Sequence, residues 1–417
     1  MNKFLKFPLY MAAGAMIAAS MTACDDENKG GSTELSPKEQ ALKEALVPYV
    51  DNTVVPTYKE MADEAITLSE LCAQVRDTWK ADDNEAKKKA TELNKQACEH
   101  WKASRKAWEL SEAFLFGAAA DYNIDPHIDS WPLDKAALEN TLKNTAIMNN
   151  IVKDGIASVT GQLGYGLLGY HALEYMLFQL TGTGANDSEP RDFTKDYSAY
   201  TQYQNVTITK NHLIYMAAVA EDLRNQCVRL EASWAGIDNI SQEKQAILTE
   251  NELEPTFDYG SSMKNAGQGG SKYTSNTVAA QEVIQGCIDI VDEVGKQKIG
   301  RPNNPGSSGE GADADKNYIE SPYALNSIID FQDNILSVKN AYEGQNDDKS
   351  VSDYIASVDA ETDKNVRDLI NESVSKIQAI PEPFAANATG PEADAAIEAL
   401  DKLLTALEKA NDVLINK

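Results

Sequence analysis

Hydrophobic residues recur every three or four positions along most of the chain, which is the period of one face of an α-helix. Trp101, Trp108 and Leu115 lie on one such face, and four later segments show the same pattern. Those segments are 167–178, 216–234, 328–342 and 397–407. Strand-like alternation is scarce, and Ser36-Pro37 has the form of a helix start, a capping side chain followed by a first-turn proline. The pattern therefore predicts an all-α fold.

Four long segments rich in glycine, proline and polar residues interrupt the helical pattern. They are 117–134, 181–196, 255–275 and 300–320. The helices fall into two groups around the second segment, and each group has about four long helices, enough to close a bundle. We therefore expect two four-helix-bundle-like domains in series, an N-terminal one over residues 37–190 and a C-terminal one over 191–417.

The first 23 residues have the composition of a secretion signal. Two lysines precede an apolar run from Phe7 to Ala19, and small residues then lead to Cys24. This arrangement resembles a lipobox, so we expect cleavage before Cys24 and lipid on its thiol. The alternative is an uncleaved transmembrane anchor, but the run is shorter than the roughly 20 residues that span a bilayer. Residues 24–36 are polar and contain glycine, as in a flexible tether.

The chain carries a formal net charge of −27. Such a charge disfavours nucleic acid and anionic lipid headgroups as partners. We therefore expect contact with a membrane through the lipid on Cys24 only. The acidic run Asp25-Asp26-Glu27 resembles a signal that exports lipoproteins to the cell surface, although a solvated tether has the same composition. The expected location is the outer membrane, facing either the periplasm or the exterior.

Four further cysteines are far apart in the sequence and form no CxxC pair. They are Cys72, Cys98, Cys227 and Cys287. Each lies in a helical pattern, where a buried thiol behaves as a small hydrophobe. We expect four unpaired core cysteines, with a Cys72–Cys98 disulfide as the alternative in an oxidising compartment.

The segment from Gly164 to Phe178 is strongly apolar, and its strongly polar side chains are His171 and Glu174. Three residues apart on a helix, these two lie side by side, and they share the face of Leu167, so both should point inward. A carboxylate is costly to bury without a partner. Either the two side chains satisfy each other, or they converge with groups from another helix on a metal ion or ligand.

Arg105 and Glu112 are a second pair of charged residues on an apolar helix face, the face defined by Trp101 and Trp108. In one interpretation Glu112 is a third ligand and Arg105 orients it or balances its charge. In the other, Arg105 pairs locally with Glu109, and Glu112 is solvated.

Several motifs together resemble the imelysin family. Residues 169–174 read Gly-Tyr-His-Ala-Leu-Glu and match its GxHxxE signature. Four further segments resemble other motifs of that family in the same order: 105–117, 128–134, 320–331 and 380–384. The resemblance covers nearly the whole chain after the tether. One departure is Gly117-Ala118, where Gly-Pro is common in the family, so this loop is expected to be looser.

The resemblance implies an all-helical protein with a site at the junction of two bundle-like domains, exported and involved in bacterial iron uptake. By direct motif match it implies His171 and Glu174 as metal or ligand-binding residues, with Gly169 in support. Glu112 as a third ligand and Arg105, Asp129 and Ser321 as supporting residues match the family less directly. The implied cofactor is iron or another divalent metal, and the implied partners are components of an iron transporter.

Three functions stay open. The first is an iron-binding or iron-ligand-binding protein of an uptake system. The second is a metallopeptidase that uses His171 and Glu174, although the sequence has no HExxH motif and its four histidines suggest no catalytic triad. The third is a non-catalytic surface lipoprotein that binds a polysaccharide or a protein through its long loops.

Overall fold

The structure is a computed structural model that describes residues 35–179, 188–195, 208–346 and 348–417. The expected signal segment, Cys24 and nearly all of the tether lie outside the described residues, as does much of the segment 181–196. Within the described residues every regular element is helical, apart from one isolated bridge between Phe178 and Pro190. The prediction of an all-α fold is confirmed.

Ten α-helices are described in the first part of the chain. They are α1 (Pro37–Pro48), α2 (Val55–Thr78), α3 (Asn84–Glu109), α4 (Ala118–Asp121), α5 (Ile124–Ile128), α6 (Lys135–Lys143), α7 (Thr145–Asp154), α8 (Thr160–Leu163), α9 (Gly169–Leu177) and α10 (Lys210–Ala235). The second part has the same number. They are α11 (Gln242–Glu250), α12 (Tyr259–Lys264), α13 (Asn276–Glu293), α14 (Gly300–Asn303), α15 (Ala312–Lys316), α16 (Ser327–Glu343), α17 (Val351–Val358), α18 (Ala360–Gln378), α19 (Phe384–Asn387) and α20 (Pro391–Asn416).

Capping side chains mark where α1 and α3 begin. Ser36 accepts a hydrogen bond from the amide of Glu39 at 3.2 Å, and Pro37 occupies the first turn of α1, as predicted. Asp83 accepts the amides of Glu85 and Ala86 at the start of α3. These side chains satisfy backbone donors that have no partner within the helix.

The long helices pack in two groups within one compact unit, Ser36–Lys417. In the first group α2 packs along α3 and α10, and α9 covers α3 and α10. In the second group α20 packs on α13 and α18, and α16 packs on the same two helices. Helix α10 therefore packs with helices of the predicted N-terminal bundle, although it follows residue 190. The assignment of two domains to residues 37–190 and 191–417 stays a prediction.

The four cysteines lie in α2, α3, α10 and α13, where all are buried and free. The prediction of unpaired core cysteines is confirmed. None of the helices in the described part of the chain combines the length and the hydropathy that a membrane crossing requires.

The two helix groups meet where α3 ends. The short helical turn Glu112–Phe114, which follows α3, packs on α13 and α16. A π-helical turn, Val294–Lys298, continues α13 and is closed by the amide of Ile299 bonding to the carbonyl of Val294 at 2.9 Å. Turns of this type hold an extra residue and are common at functional sites. This one ends at the buried Lys298, next to the junction.

Candidate metal centre

Arg105 of α3 is completely buried, and its guanidinium contacts four carboxylates. Nη2 lies 2.5 Å from Glu109 and 2.6 Å from Glu320, and Nε lies 3.6 Å from Asp330. Nη1 pairs closely with Asp129. The local pair with Glu109 thus exists beside three long-range partners, which come from the residue after α5, from α16 and from the segment before α16.

Asp129 directly follows α5 and joins three side chains of the site. Its Oδ2 accepts the indole N–H of Trp108 at 2.7 Å, and its Oδ1 lies 3.1 Å from Nε2 of His171. Burial alone would raise the pKa of Asp129, but the guanidinium of Arg105 and the hydrogen bond to His171 hold that pKa below its ordinary value. Asp129 is therefore an anion that accepts hydrogen bonds.

Gly169 allows α9 to approach α5 this closely. Its φ of +65° lies in the left-handed region, and a β-carbon at this position would meet the carbonyl oxygen of Ile128 at 2.0 Å. Any other residue would push the two backbones apart. The glycine of the GxHxxE motif therefore sets the distance between Asp129 and His171.

His171 and Glu174 both turn inward on α9 and contact each other, with 3.4 Å between Nδ1 and Oε2. The other oxygen of Glu174, Oε1, accepts the backbone amides of Tyr323 and Ala324, each at 2.7 Å. Burial alone would lower the pKa of His171, but its hydrogen bonds to Asp129 and Glu174 raise it to about 9. The pair is thus hydrogen-bonded and also joined to groups from other elements.

Glu112 is buried in the turn that follows α3, with its Oε1 3.7 Å from Nζ of Lys298. Lys298 also lies 3.5 Å from Glu109 and 3.1 Å from Glu320. Burial raises the pKa of Glu112 and of Glu109 well above the usual range, although Lys298 opposes the shift in both. The structure places Glu112 beside Lys298 and Glu109, and among the described residues Glu112 forms no hydrogen bond or ion pair with His171.

Ser321 supports the site from the segment before α16. Its hydroxyl donates to Oδ2 of Asp330 at 2.5 Å, and the side-chain amide of Asn326 donates to Oδ1 at 2.5 Å. Burial raises the pKa of Asp330 to about 7, with Arg105 opposing the shift. Ser321 has a φ of +48°, a left-handed conformation that is uncommon for a residue with a side chain.

The buried side chains of this centre include more carboxyl groups than permanent cations. Among the described residues, six buried carboxylates meet here: Glu109, Glu112, Asp129, Glu174, Glu320 and Asp330. The permanent cations beside them are Arg105 and Lys298. Because buried charge without compensation is costly, the centre must take up protons or bind a cation.

The donor atoms of this centre are suited to a metal ion. In one group, Asp129, His171 and Glu320 each offer an atom within 4.8 Å of the others, and in a second group Glu109, Glu112 and Asp129 do the same. Oε2 of Glu320 is buried without a hydrogen-bond partner among the described residues. Donors about 2.1 Å from one ion lie roughly 3–4 Å apart, so a small contraction is enough. Glu174 belongs to neither group.

The sequence pattern did not single out Glu320 and Lys298 as site residues. Glu320 opens the segment Glu-Ser-Pro-Tyr, which resembled a family motif, and that resemblance was the available signal. Lys298 lies among other lysines in a segment without a motif, and its inward direction depends on the π-helical turn.

A comparison with known protein families shows to which family the chain belongs. The profile of the imelysin family, also named peptidase M75, matches residues 54–411. The chain belongs to the imelysin family. The predicted resemblance is therefore confirmed, and the match includes every residue of the centre described above.

Individual proteins and solved structures resemble the chain over most of its length. The chain is 24% identical over 405 residues to iron-regulated protein A of Synechococcus elongatus, covering 95% of this chain and 90% of that protein. A solved structure from Parabacteroides distasonis, named as a precursor of iron-regulated protein A, has a TM-score of 0.71 at 24% identity, covering 92% and 97% of the two chains. An imelysin-like protein from Psychrobacter arcticum has a TM-score of 0.52 at 11% identity, covering 92% and 95%. These two structures support the fold.

Proposed function

We propose that this chain is a metal-binding protein that binds one transition-metal cation at Asp129, His171 and Glu320. The preferred metal is iron. The observation that carries the proposal is the excess of buried carboxylates around these three residues. A bound cation would relieve that excess, and Oε2 of Glu320, which has no hydrogen-bond partner within the described part of the chain, offers it an oxygen ligand.

The kind of metal follows from the donor atoms. One imidazole nitrogen and two carboxylates suit Fe, Mn or Zn better than Ca or Mg, which prefer oxygen alone. Iron is preferred among these because the relatives in Synechococcus and Parabacteroides carry the name iron-regulated protein A. The protein would bind iron, or a ligand that contains iron, for an uptake system, with transporter components as its partners.

A titration under anaerobic conditions tests this proposal. We expect the purified protein to bind one equivalent of Fe²⁺, and we expect His171→Ala and Glu320→Gln each to weaken binding at least about 10-fold, because each removes a ligand or its charge. His100→Ala is the matched control, since His100 pairs with Glu64 on the surface of α2 and α3. Absence of binding in the unmodified protein, or equal binding in His171→Ala, would contradict the proposal.

The metallopeptidase alternative requires Glu174 to act on a substrate or on the metal. Both of its oxygens already have partners, the His171 ring and two backbone amides, and the side chain is fully buried. This geometry favours a binding role over hydrolysis of a polypeptide. Chelator-sensitive cleavage of an unfolded protein substrate that is lost in His171→Ala would reverse this preference.

We also propose that the chain is an outer-membrane lipoprotein held by lipid on Cys24, facing the periplasm or the exterior. The support is the charged start, the apolar run and the small residues before Cys24. In cells fed with labelled palmitate we expect label on this chain and partition into detergent. Cys24→Ser should lose both, and equal labelling of that variant would rule out this anchor.

A further inference from the structure

Lys298 is a buried cation that contacts three carboxylates of the centre. We propose that Lys298 is a built-in cation that limits the centre to one metal ion and directs that ion to the His171 side. This inference rests on the proposed metal-binding function and specifies how many ions the site takes, and where.

The position of the ammonium group is the first argument. Nζ of Lys298 lies 3.1 Å from Glu320, 3.5 Å from Glu109 and 3.7 Å from Glu112, so three carboxylates from two helix groups surround it. The side chain is 1% exposed. A compact ammonium with three donors neutralises such a cluster much as a metal ion does.

The second argument is the group of carboxylates that Lys298 contacts. Glu109, Glu112 and Asp129 offer converging oxygen atoms, the arrangement that hard divalent cations prefer. Two of these three carboxylates, Glu109 and Glu112, are partners of Lys298. An ion bound there would lie next to a fixed positive charge in a region of low dielectric, where like charges repel strongly.

Arg105 pairs with two members of each group, Asp129 and Glu320 in the His171 group and Asp129 and Glu109 in the other, so its charge does not distinguish them. The charge of Lys298 does, because Lys298 contacts one member of the His171 group, through Oε1 of Glu320. Oε2 of Glu320 has no hydrogen-bond partner among the described residues. Nε2 of His171 lies 3.1 Å from Oδ1 of Asp129. The two groups share Asp129, so a second ion would share a carboxylate with the first.

The π-helical turn explains why the side chain of Lys298 cannot easily move out of the centre into solvent. Residues Val294–Lys298 are held by the bond from the amide of Ile299 to the carbonyl of Val294, and Lys298 is the last residue of the turn. A lysine on an ordinary exposed helix would swing into solvent when a metal arrived, whereas here the stem is buried with the charge.

Titration with Mn²⁺, followed by electron paramagnetic resonance and by metal analysis after gel filtration, tests the inference. We expect one equivalent in the unmodified protein and in Lys298→Arg, which keeps the charge. We expect two equivalents in Lys298→Met, with a spin-coupled pair because the ions share Asp129. The double variant Lys298→Met/Glu112→Gln should return to one equivalent, since the oxygen-only group has lost a ligand.

The outcomes separate this inference from the proposed function. Two equivalents in the unmodified protein, or one in a folded Lys298→Met, would overturn the role of Lys298 and leave metal binding intact. Absence of binding in the unmodified protein would end both proposals. Glu112→Gln alone gives a check that does not depend on Lys298 variants folding: loss of the one equivalent would place the metal on the wrong side and overturn the inference.

Discussion

Oε1 of Glu174 accepts the backbone amide of Tyr323 at 2.7 Å, across 149 residues of sequence. The same oxygen accepts the amide of Ala324. The carboxylate of the GxHxxE motif therefore fastens α9 to the segment that carries Glu320 and Ser321. Glu174 contributes to the centre by holding the two helix groups together. His171, in contrast, lies near the possible metal ligands Asp129 and Glu320.

Removing this carboxylate should destabilise the fold. Glu174→Ala removes the acceptor that two buried amides share, and an unsatisfied buried amide costs about 1–3 kcal/mol, so we expect a loss of about 2–6 kcal/mol in the free energy of unfolding. Glu174→Gln keeps an acceptor and should lose less. Urea denaturation measures both, with Glu99→Ala on the exposed face of α3 as a control that changes little. A loss in Glu174→Ala no larger than in the control would show that the segment is held by other contacts.

Gly169→Ala should destabilise the fold and the centre strongly, although it adds only one methyl group. The added methyl group would meet the carbonyl of Ile128, and the positive φ adds strain, so we expect a loss of more than about 2 kcal/mol and much weaker metal binding. Gly166→Ala is the matched control, because its β-carbon would contact nothing within 4 Å. Thermal unfolding and metal titration of both variants check this, and equal behaviour of the two would contradict it.

Replacing Arg105 should expose how strongly the buried carboxylates repel one another. Arg105→Met removes the cation that four of them share, and breaking buried ion pairs costs about 3–5 kcal/mol. The loss should shrink at pH 5, where the carboxylates take up protons. Arg76→Met, whose ion pair with Asp77 lies at the surface, should cost at most about 1 kcal/mol. Denaturation at pH 7 and pH 5 measures both effects; a loss that grows at pH 5 would contradict the charge argument.

Metal affinity should rise with pH. His171 must be neutral to bind a metal, and its hydrogen bonds to Asp129 and Glu174 raise its pKa to about 9 against the effect of burial. Below pH 9 the metal therefore displaces a proton, so we expect affinity for Mn²⁺ to increase up to about tenfold per pH unit between pH 7 and 8.5. Above pH 9 the contribution of His171 should level off. Calorimetric titration across this range checks the slope, and an affinity that falls with rising pH would exclude His171 as a ligand.

Much of the local structure followed from the sequence. The period of the apolar residues predicted helices, and the three-residue spacing of His171 and Glu174 predicted their contact, because both depend on the geometry of a single helix. These properties need no knowledge of the rest of the chain. For Glu112 the sequence left burial and solvation both open, although it shares a face with two tryptophans, and the structure shows it buried.

The long-range partners did not follow from the sequence. Arg105 meets Glu320 across 215 residues, and nothing in either local pattern specifies that pair. The inward direction of Lys298 comes from a π-helical turn, which shifts the helical period that sequence reasoning assumes. The packing of α10 on α2 is likewise a long-range contact, which the periodicity of hydrophobic residues within one helix does not predict.

The polar centre is assembled from residues as distant as Arg105 and Asp330. During synthesis Arg105 is added long before Glu320 and Asp330. A partly synthesised chain that ends before Glu320 therefore contains the cation but lacks two of the carboxylates that pair with it. The centre can be completed only after synthesis has reached Asp330 in α16.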